Sequence, residues 1–220
     1  MKIKFLNVAL GIALSATIMS ASAQKNYTEG LLTMKTSGYG QDVEVKEYFR
    51  SDSTAALFAA GPVNIKLLAD ANYKSYAVLA SVPAANIKKA AIYTSAEIDQ
   101  VLSTFPTLTF APSSETKQIS GFNCKKVVAT DTRTQKTYDT WITNDISLPA
   151  DVIDKYYVSI GGVPIQYTSF QTGPNGVPVA NEYTIIGVSD QKAPAGTFGI
   201  APGFDKITKT ELDAMSRGNQ

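Results

Sequence analysis

Four aspartates are the side chains whose spacing invites chemistry. Asp151 and Asp154 stand three apart, which would set both carboxylates on one face of a helix, and Asp139 and Asp145 flank the single tryptophan, Trp141. A pair of carboxylates works as general acid and base only at a defined separation and in environments that pull their proton affinities apart. Spacing along a chain sets neither, so these aspartates read first as solvated surface charge and only second as a carboxylate-only hydrolase acting on glycan. Histidine is absent, which excludes Ser-His-Asp and Cys-His catalysis and every zinc site built on imidazole. One cysteine excludes Cys-rich zinc sites, iron–sulfur clusters and an internal disulfide. No Gly-x-Ser-x-Gly, Walker or Rossmann pattern occurs, and Gly38-Tyr39-Gly40 lacks a third glycine and joins two strands, so it reads as a turn. The expectation is a protein that is not an enzyme and that holds no metal and no cofactor.

The remaining residues of interest are apolar or aromatic. Cys124 alternates with Phe122 and Val128 on one face of a strand and reads as a small buried hydrophobe rather than a reactive thiol. Trp141 points opposite to Thr140 and Ile142, where it serves as cover for the sheet or for a cavity mouth. Eleven tyrosines and nine phenylalanines are many for 220 residues. Tyr73, Tyr76, Tyr156, Tyr157, Tyr167 and Tyr183 fit a lipid or glycan surface, and they fit an ordinary amphipathic sheet at least as well. Ile98, Leu102, Phe105, Tyr156 and Tyr157 lie on apolar helix faces, so together with Trp141 they are the residues expected to line an apolar cavity, with simple core filling as the competing reading.

The composition limits the partners. Twenty basic residues stand against nineteen acidic ones, and no cationic run exists to grip a phosphate backbone, so nucleic acid is not an expected partner. The chain is 44% hydrophobic and 18% charged, the latter below the roughly 25% usual for soluble domains. Lys2 and Lys4, the apolar run from Phe5 to Met19, and Ser20-Ala21-Ser22-Ala23 have the three-part pattern of a secretory signal peptide, with cleavage expected after Ala23. The run is broken by Asn7, Gly11, Ser15 and Thr17 and falls short of the ~20 residues a bilayer span requires. No later segment is apolar enough to span a membrane. The expected product is a single exported domain over 24–220. Asn26-Tyr27-Thr28 matches a glycosylation acceptor and reads as a chance match.

The body alternates in short runs rich in Val, Ile, Leu, Thr and Tyr. Strands are expected over 28–36, 42–50, 53–60, 63–69, 73–80, 115–119, 122–130, 136–143, 163–171 and 177–188, joined by tight turns as in an antiparallel meander. Within 42–50, Val43, Val45 and Phe49 fall on one face and Asp42, Glu44 and Lys46 on the other. Gly173-Pro174-Asn175-Gly176 carries the Asn-Gly hairpin signal. Thr94-Ser95-Ala96-Glu97 has capping-box spacing and opens a helix to Phe105. A second helix is expected over 150–158 and a third from Thr208 to about Met215, with 217–220 frayed.

Three features together resemble a known superfamily. The chain opens with an extended Tyr27-to-Met34 segment. Its centre runs Ile119-Ser120-Gly121-Phe122-Asn123-Cys124-Lys125-Lys126 and then Tyr138-Asp139-Thr140-Trp141-Ile142-Thr143-Asn144-Asp145-Ile146. A late Gly161-Gly162-Val163-Pro164-Ile165 enters a strand. This is similar to uncharacterised Gram-negative envelope proteins of the GLPGLI kind, which in turn resemble the lipoprotein carrier LolA and its receptor LolB. Where GLPGLI proteins carry their name-giving motif, this chain has Ser159-Ile160-Gly161-Gly162-Val163-Pro164-Ile165. The resemblance implies a mainly β (α+β) fold, a curved antiparallel sheet forming an incomplete LolA-like barrel around two or three short helices. It also implies a role in binding or carrying an acylated or otherwise apolar ligand, such as a lipid or lipoprotein, between sheet and helices. A non-enzymatic envelope scaffold with a filled core and a protein partner is the competing expectation.

Overall fold

The computed structural model describes residues 24–37, 42–172 and 178–217. The expected signal segment 1–23, the Gly38-Tyr39-Gly40 turn, the Gly173-to-Gly176 loop and residues 218–220 lie outside the described residues. The described elements are β1 (Lys25–Asn26), β2 (Gly30–Thr36), β3 (Val43–Arg50), β4 (Ser53–Ala60), β5 (Val63–Asp70), β6 (Tyr76–Val82), β7 (Ile87–Ile92), α1 (Ser95–Thr104), β8 (Leu108–Ile119), β9 (Phe122–Asp131), β10 (Thr137–Thr143), β11 (Ile146–Ser147), β12 (Val163–Thr172), β13 (Pro178–Ser189), β14 (Asp205–Ile207) and α2 (Lys209–Arg217). Twelve strands form one open sheet in the order β14-β7-β6-β5-β4-β3-β2-β13-β12-β10-β9-β8, and its two outer strands do not pair with each other. Every ladder in it is antiparallel except β14 with β7. β1 and β11 make a separate parallel ladder, with Lys25 opposite Ile146. The protein is mainly β, with a large sheet that does not close into a barrel.

The β2-to-β7 meander follows from tight turns between alternating runs. In β3, Val43, Val45 and Phe49 are buried while Glu44 and Lys46 are exposed, the alternation of a strand with one covered face. Two strands run longer than their sequence pattern, or escape it. β7 begins Ile87-Lys88-Lys89 straight after a 3-10 turn at Pro83–Ala85, so charges mask its apolar half. β8 extends back to Leu108 through Pro112, where its register against β9 slips between Pro112 and Thr116. Proline is tolerated there because β8 is an edge strand with no ladder to donate to on its outer side.

α1 starts at the capping box read from sequence. The Glu97 amide donates to Thr94 Oγ1 (3.3 Å) and the Thr94 amide donates to Glu97 Oε2 (2.8 Å), satisfying two end groups of the helix. Thr208 and Glu211 make the same reciprocal pair at the start of α2. The helix expected over 150–158 does not form. Instead two 3-10 turns, Ala150–Val152 and Lys155–Tyr157, flank an extended Ile153 (φ −94°, ψ 133°) and Asp154. The extended pair lets Ile153 enter the core and turns Asp154 toward partners on β12 and on its own segment, which a continuous helix would not allow.

The sheet is covered on both faces. Val43, Val45 and Phe49 of β3 pack with Leu32, Met34, Ile165 and Ile185 on one face. Ala55, Leu68, Ala77, Leu79 and Ala90 pack under Phe198, Ile200 and Phe204 of the segment before β14. Ala55 sits opposite Tyr48, the neighbour of Phe49, so this second cluster lies on the other face of the sheet. A third cluster joins Val127, Ala129 and Ile142 to Tyr157 and Ile160.

Candidate functional site

The segment 148–160 runs as a strap over the face that carries Glu47. Leu148, Val152 and Ile153 pack into the cluster around Met34 and Val163. Its outer side is tied to the β5–β6 turn, where the Asn72 amide donates to Asp151 Oδ1 (3.3 Å) and the Lys155 amine donates to the Asn72 carbonyl (3.0 Å). Lys155 also lies over the Tyr73 ring. The inner side is tied to β12: Tyr157 donates to the Thr168 carbonyl (2.9 Å), and Asp154 accepts from Tyr156 (2.6 Å) and from Ser169 (3.0 Å). Tyr156 in turn accepts from the Phe170 amide (2.9 Å).

Beneath the strap two carboxyl groups share one poorly hydrated space. Glu47 and Asp154 both border a gap of about 10 Å³, together with Met34, Val152, Tyr167 and Ile185. That is about the room of one water molecule. Burial pushes the Glu47 carboxyl up to about 8, and the charge of Asp154 adds to the effect. Burial also raises Asp154, against the opposing pull of the hydrogen bonds from Tyr156 and Ser169. Tyr156 and Tyr167 are held well above the ordinary tyrosine range, by desolvation first and by Asp154 second. Neither a hydrogen bond nor an ion pair joins Glu47 to any of the described residues. Glu47 therefore keeps its proton near neutrality, as a desolvated carboxyl without a countercharge does, and Asp154 is shifted in the same direction.

The four aspartates separate. Asp154 is the one turned inward, and its carboxyl neighbour is Glu47 rather than Asp151, whose Oδ1 faces the β5–β6 turn. Asp139 pairs with Lys126 at 2.8 Å and is exposed. Asp145 accepts from the backbone and side-chain nitrogens of Asn123 (2.7 and 3.2 Å) and pins a turn. Glu47 carried a signal in the sequence: it occupies an inward position between Val45 and Phe49 of an alternating strand, where an acidic side chain must be buried.

The six residues expected around an apolar cavity are placed as follows. Phe105 meets Tyr156 edge to face, with ring centres 5.6 Å apart, and Tyr156 meets Tyr157 at 5.1 Å. Tyr157 is buried against Tyr167. Ile98 is buried and Leu102 half-buried on α1. Trp141, half-buried, lies under the Lys117 amine, 4.1 Å from the ring centre. None of the six borders the gap under the strap or the larger opening on the other face.

That larger opening is a trough of about 520 Å³. Its floor is a cross-strand row fixed by register: Lys46 of β3 faces Leu57 of β4, Leu57 faces Lys66 of β5, and Lys66 faces Leu79 of β6. Phe204 closes one side. The Lys66 amine donates to the carbonyls of Thr197 and Gly199 (2.9 Å each), and so holds the covering segment in place. Burial lowers the proton affinity of Lys66. Lys46, exposed at the rim, pairs with Glu44 at 3.7 Å. Strand periodicity predicted the face of Lys46, but the row exists only through the pairing of four strands.

No family model matches the chain, and no curated protein matches it. Among solved structures, PNGF-II in a C2 crystal form is 18% identical with a TM-score of 0.48, over 85% of this chain and 32% of that one. PNGF-II in a P21 form is 16% identical with a TM-score of 0.49, over 86% of this chain and 33% of that one. This chain thus spans about a third of the length of those structures.

Proposed function

We propose that the protein binds the acyl chain of a lipid or acylated protein in the trough over β3–β6, acting without catalysis after export to the periplasm. The observation that carries this reading is the trough itself, with an apolar floor at Leu57 and Leu79, an aromatic wall at Phe204 and a cation at its rim. Its volume lies in the range of small-molecule sites. Burial of apolar area would drive binding at about 25 cal/mol per Å² removed from water, and Lys46 would meet an acidic head group. The reading moves the expected site from the space between sheet and helices, where about 10 Å³ is left beneath the strap, to the opposite face. A LolA-like curl of the sheet belongs to the same proposal. That narrow gap also favours the second reading, an envelope interaction module with a filled core.

A fluorescent long-chain fatty acid titrated into the detergent-free protein tests the first reading. Saturable uptake, weakened at least tenfold by Leu57→Glu and by Phe204→Ala, is the expected result. No uptake, or uptake indifferent to both substitutions, overturns it. Co-purification of a stoichiometric protein partner would then support the second reading.

A further inference from the structure

We propose that the 148–160 strap is a pH-sensitive lid, closed while the carboxyl pair Glu47 and Asp154 beneath it keeps a proton and released when both are charged. The geometry that carries the proposal is an arrangement of two carboxyl groups, one on the sheet and one on the strap, bordering one gap of about 10 Å³. The groups facing them are all neutral or acidic. From β12 come Tyr167 and Ser169, from the strap Tyr156 and Tyr157, and from the β5–β6 turn Tyr73. The strap's one cation, Lys155, is engaged by the Asn72 carbonyl and the Tyr73 ring. Two negative charges in so little space have no countercharge to share, and opening the strap to water is the relief available to them.

The elevated affinity of Glu47 for its proton puts this transition around pH 8. The closed state rests on the Tyr157–Thr168, Tyr156–Phe170 and Asp154–Ser169 bonds to β12, the bonds of Asp151 and Lys155 to Asn72, and the apolar contacts of Leu148, Val152, Ile153, Tyr157 and Ile160. Charging Asp154 strengthens its own accepted hydrogen bonds, so the repulsion must act through Glu47, which has none. Release would uncover Met34, Ile185 and Tyr167 as an apolar face. The chain has no histidine, so no imidazole titrates in the same window.

Amide hydrogen exchange of the purified protein, read by mass spectrometry at pH 6 and pH 9 and corrected for intrinsic rates, tests the lid. Protection over 148–160 is expected to fall at least tenfold from pH 6 to pH 9 while β5 and β6 change little. Glu47→Gln should hold strap protection at pH 9 within twofold of its pH 6 value. Asp154→Asn, which retains an acceptor for Tyr156 and Ser169, carries the same expectation and serves if the first variant fails to fold. Constant protection in the parent protein, or an equal fall in the folded variant, overturns the proposal.

Discussion

The hydroxyl of Tyr156 lies 2.6 Å from Asp154 Oδ2 and at the same time accepts the Phe170 amide at 2.9 Å. One phenol thus links the strap to a strand of the sheet and neutralises part of the cost of a buried carboxylate.

Replacing Tyr156 with Phe keeps the ring contacts to Phe105 and Phe170 but removes the hydrogen bonds of its hydroxyl with Asp154, the Phe170 amide and Ser169. The Phe170 amide would be left without its partner and Asp154 without its shortest donor. A loss of about 1–3 kcal/mol follows from the cost of unsatisfied buried groups. Chemical denaturation of Y156F at pH 7 checks it, with an unchanged midpoint as the contrary result.

Stability should depend on pH through Glu47. Its carboxyl keeps a proton to about pH 8 in the folded protein, whereas an unfolded chain releases it near 4.5. Between these values the folded state binds more protons, so stability falls as pH rises and levels off above about 8. Asp154, also raised, acts in the same direction from its own ordinary value of 3.8 upward. Each group contributes at most about 1.4 kcal/mol per pH unit. Glu97 and Glu211, held low by the Thr94 and Thr208 backbone amides, act oppositely in acid, so the test belongs between pH 5 and 8. Urea melts across that range should show the decline in the parent protein and a flatter profile in Glu47→Gln.

Gly30 lies where β2 meets β13. A methyl group there would stand 2.1 Å from the Ser189 carbonyl oxygen, a backbone atom that cannot rotate away. Gly30→Ala should therefore destabilise by about 3 kcal/mol or more, at the upper end of overpacking effects. Gly187 has nothing near its missing side chain, so Gly187→Ala is the control expected to change the thermal midpoint far less.

Cys124 is 1% exposed, and burial pushes its thiol up. A thiol-specific reagent at pH 7.5 should modify the native protein at least tenfold more slowly than the urea-unfolded chain, because the thiolate is the reactive form and is scarce in the core. Equal rates would place the sulfur at the surface.

Much of this was legible in the residues themselves. Val43, Val45 and Phe49 announced the covered face of β3, and Thr94 with Glu97 announced α1 to within a residue of its end. β7 and β8 were hidden or shortened because Lys88, Lys89 and Pro112 break the alternation, while edge positions and neighbouring strands tolerate them. The strap misled for a different reason. Val152, Ile153, Tyr156 and Tyr157 have helical spacing, yet tertiary hydrogen bonds to Ser169, Thr168 and Phe170 outweigh local preference there. The trough and the carboxyl pair could not be read at all without pairing. Lys46, Leu57, Lys66 and Leu79 meet through three registers, and Glu47 meets Asp154 across a long stretch of chain.

The order of strands carries a consequence for how the chain reaches this state. β2 to β7 pair only with sequence neighbours, apart from β2 with β13 and β7 with β14, and β8 to β13 are almost as local. The segment through α1 hops from a strand near one margin of the sheet to the strand at the other. Only the β2–β13 ladder, with Thr36 beside Tyr183, zips the two arrays into one sheet. Local hairpins close cheaply and early, while a ladder between distant segments bears the full entropy of closing the intervening loop. The seam at β2–β13 should thus be the last to form during refolding. Two fragments divided between α1 and β8 should each assemble their own hairpins and dock along that seam and, through β14, along β7.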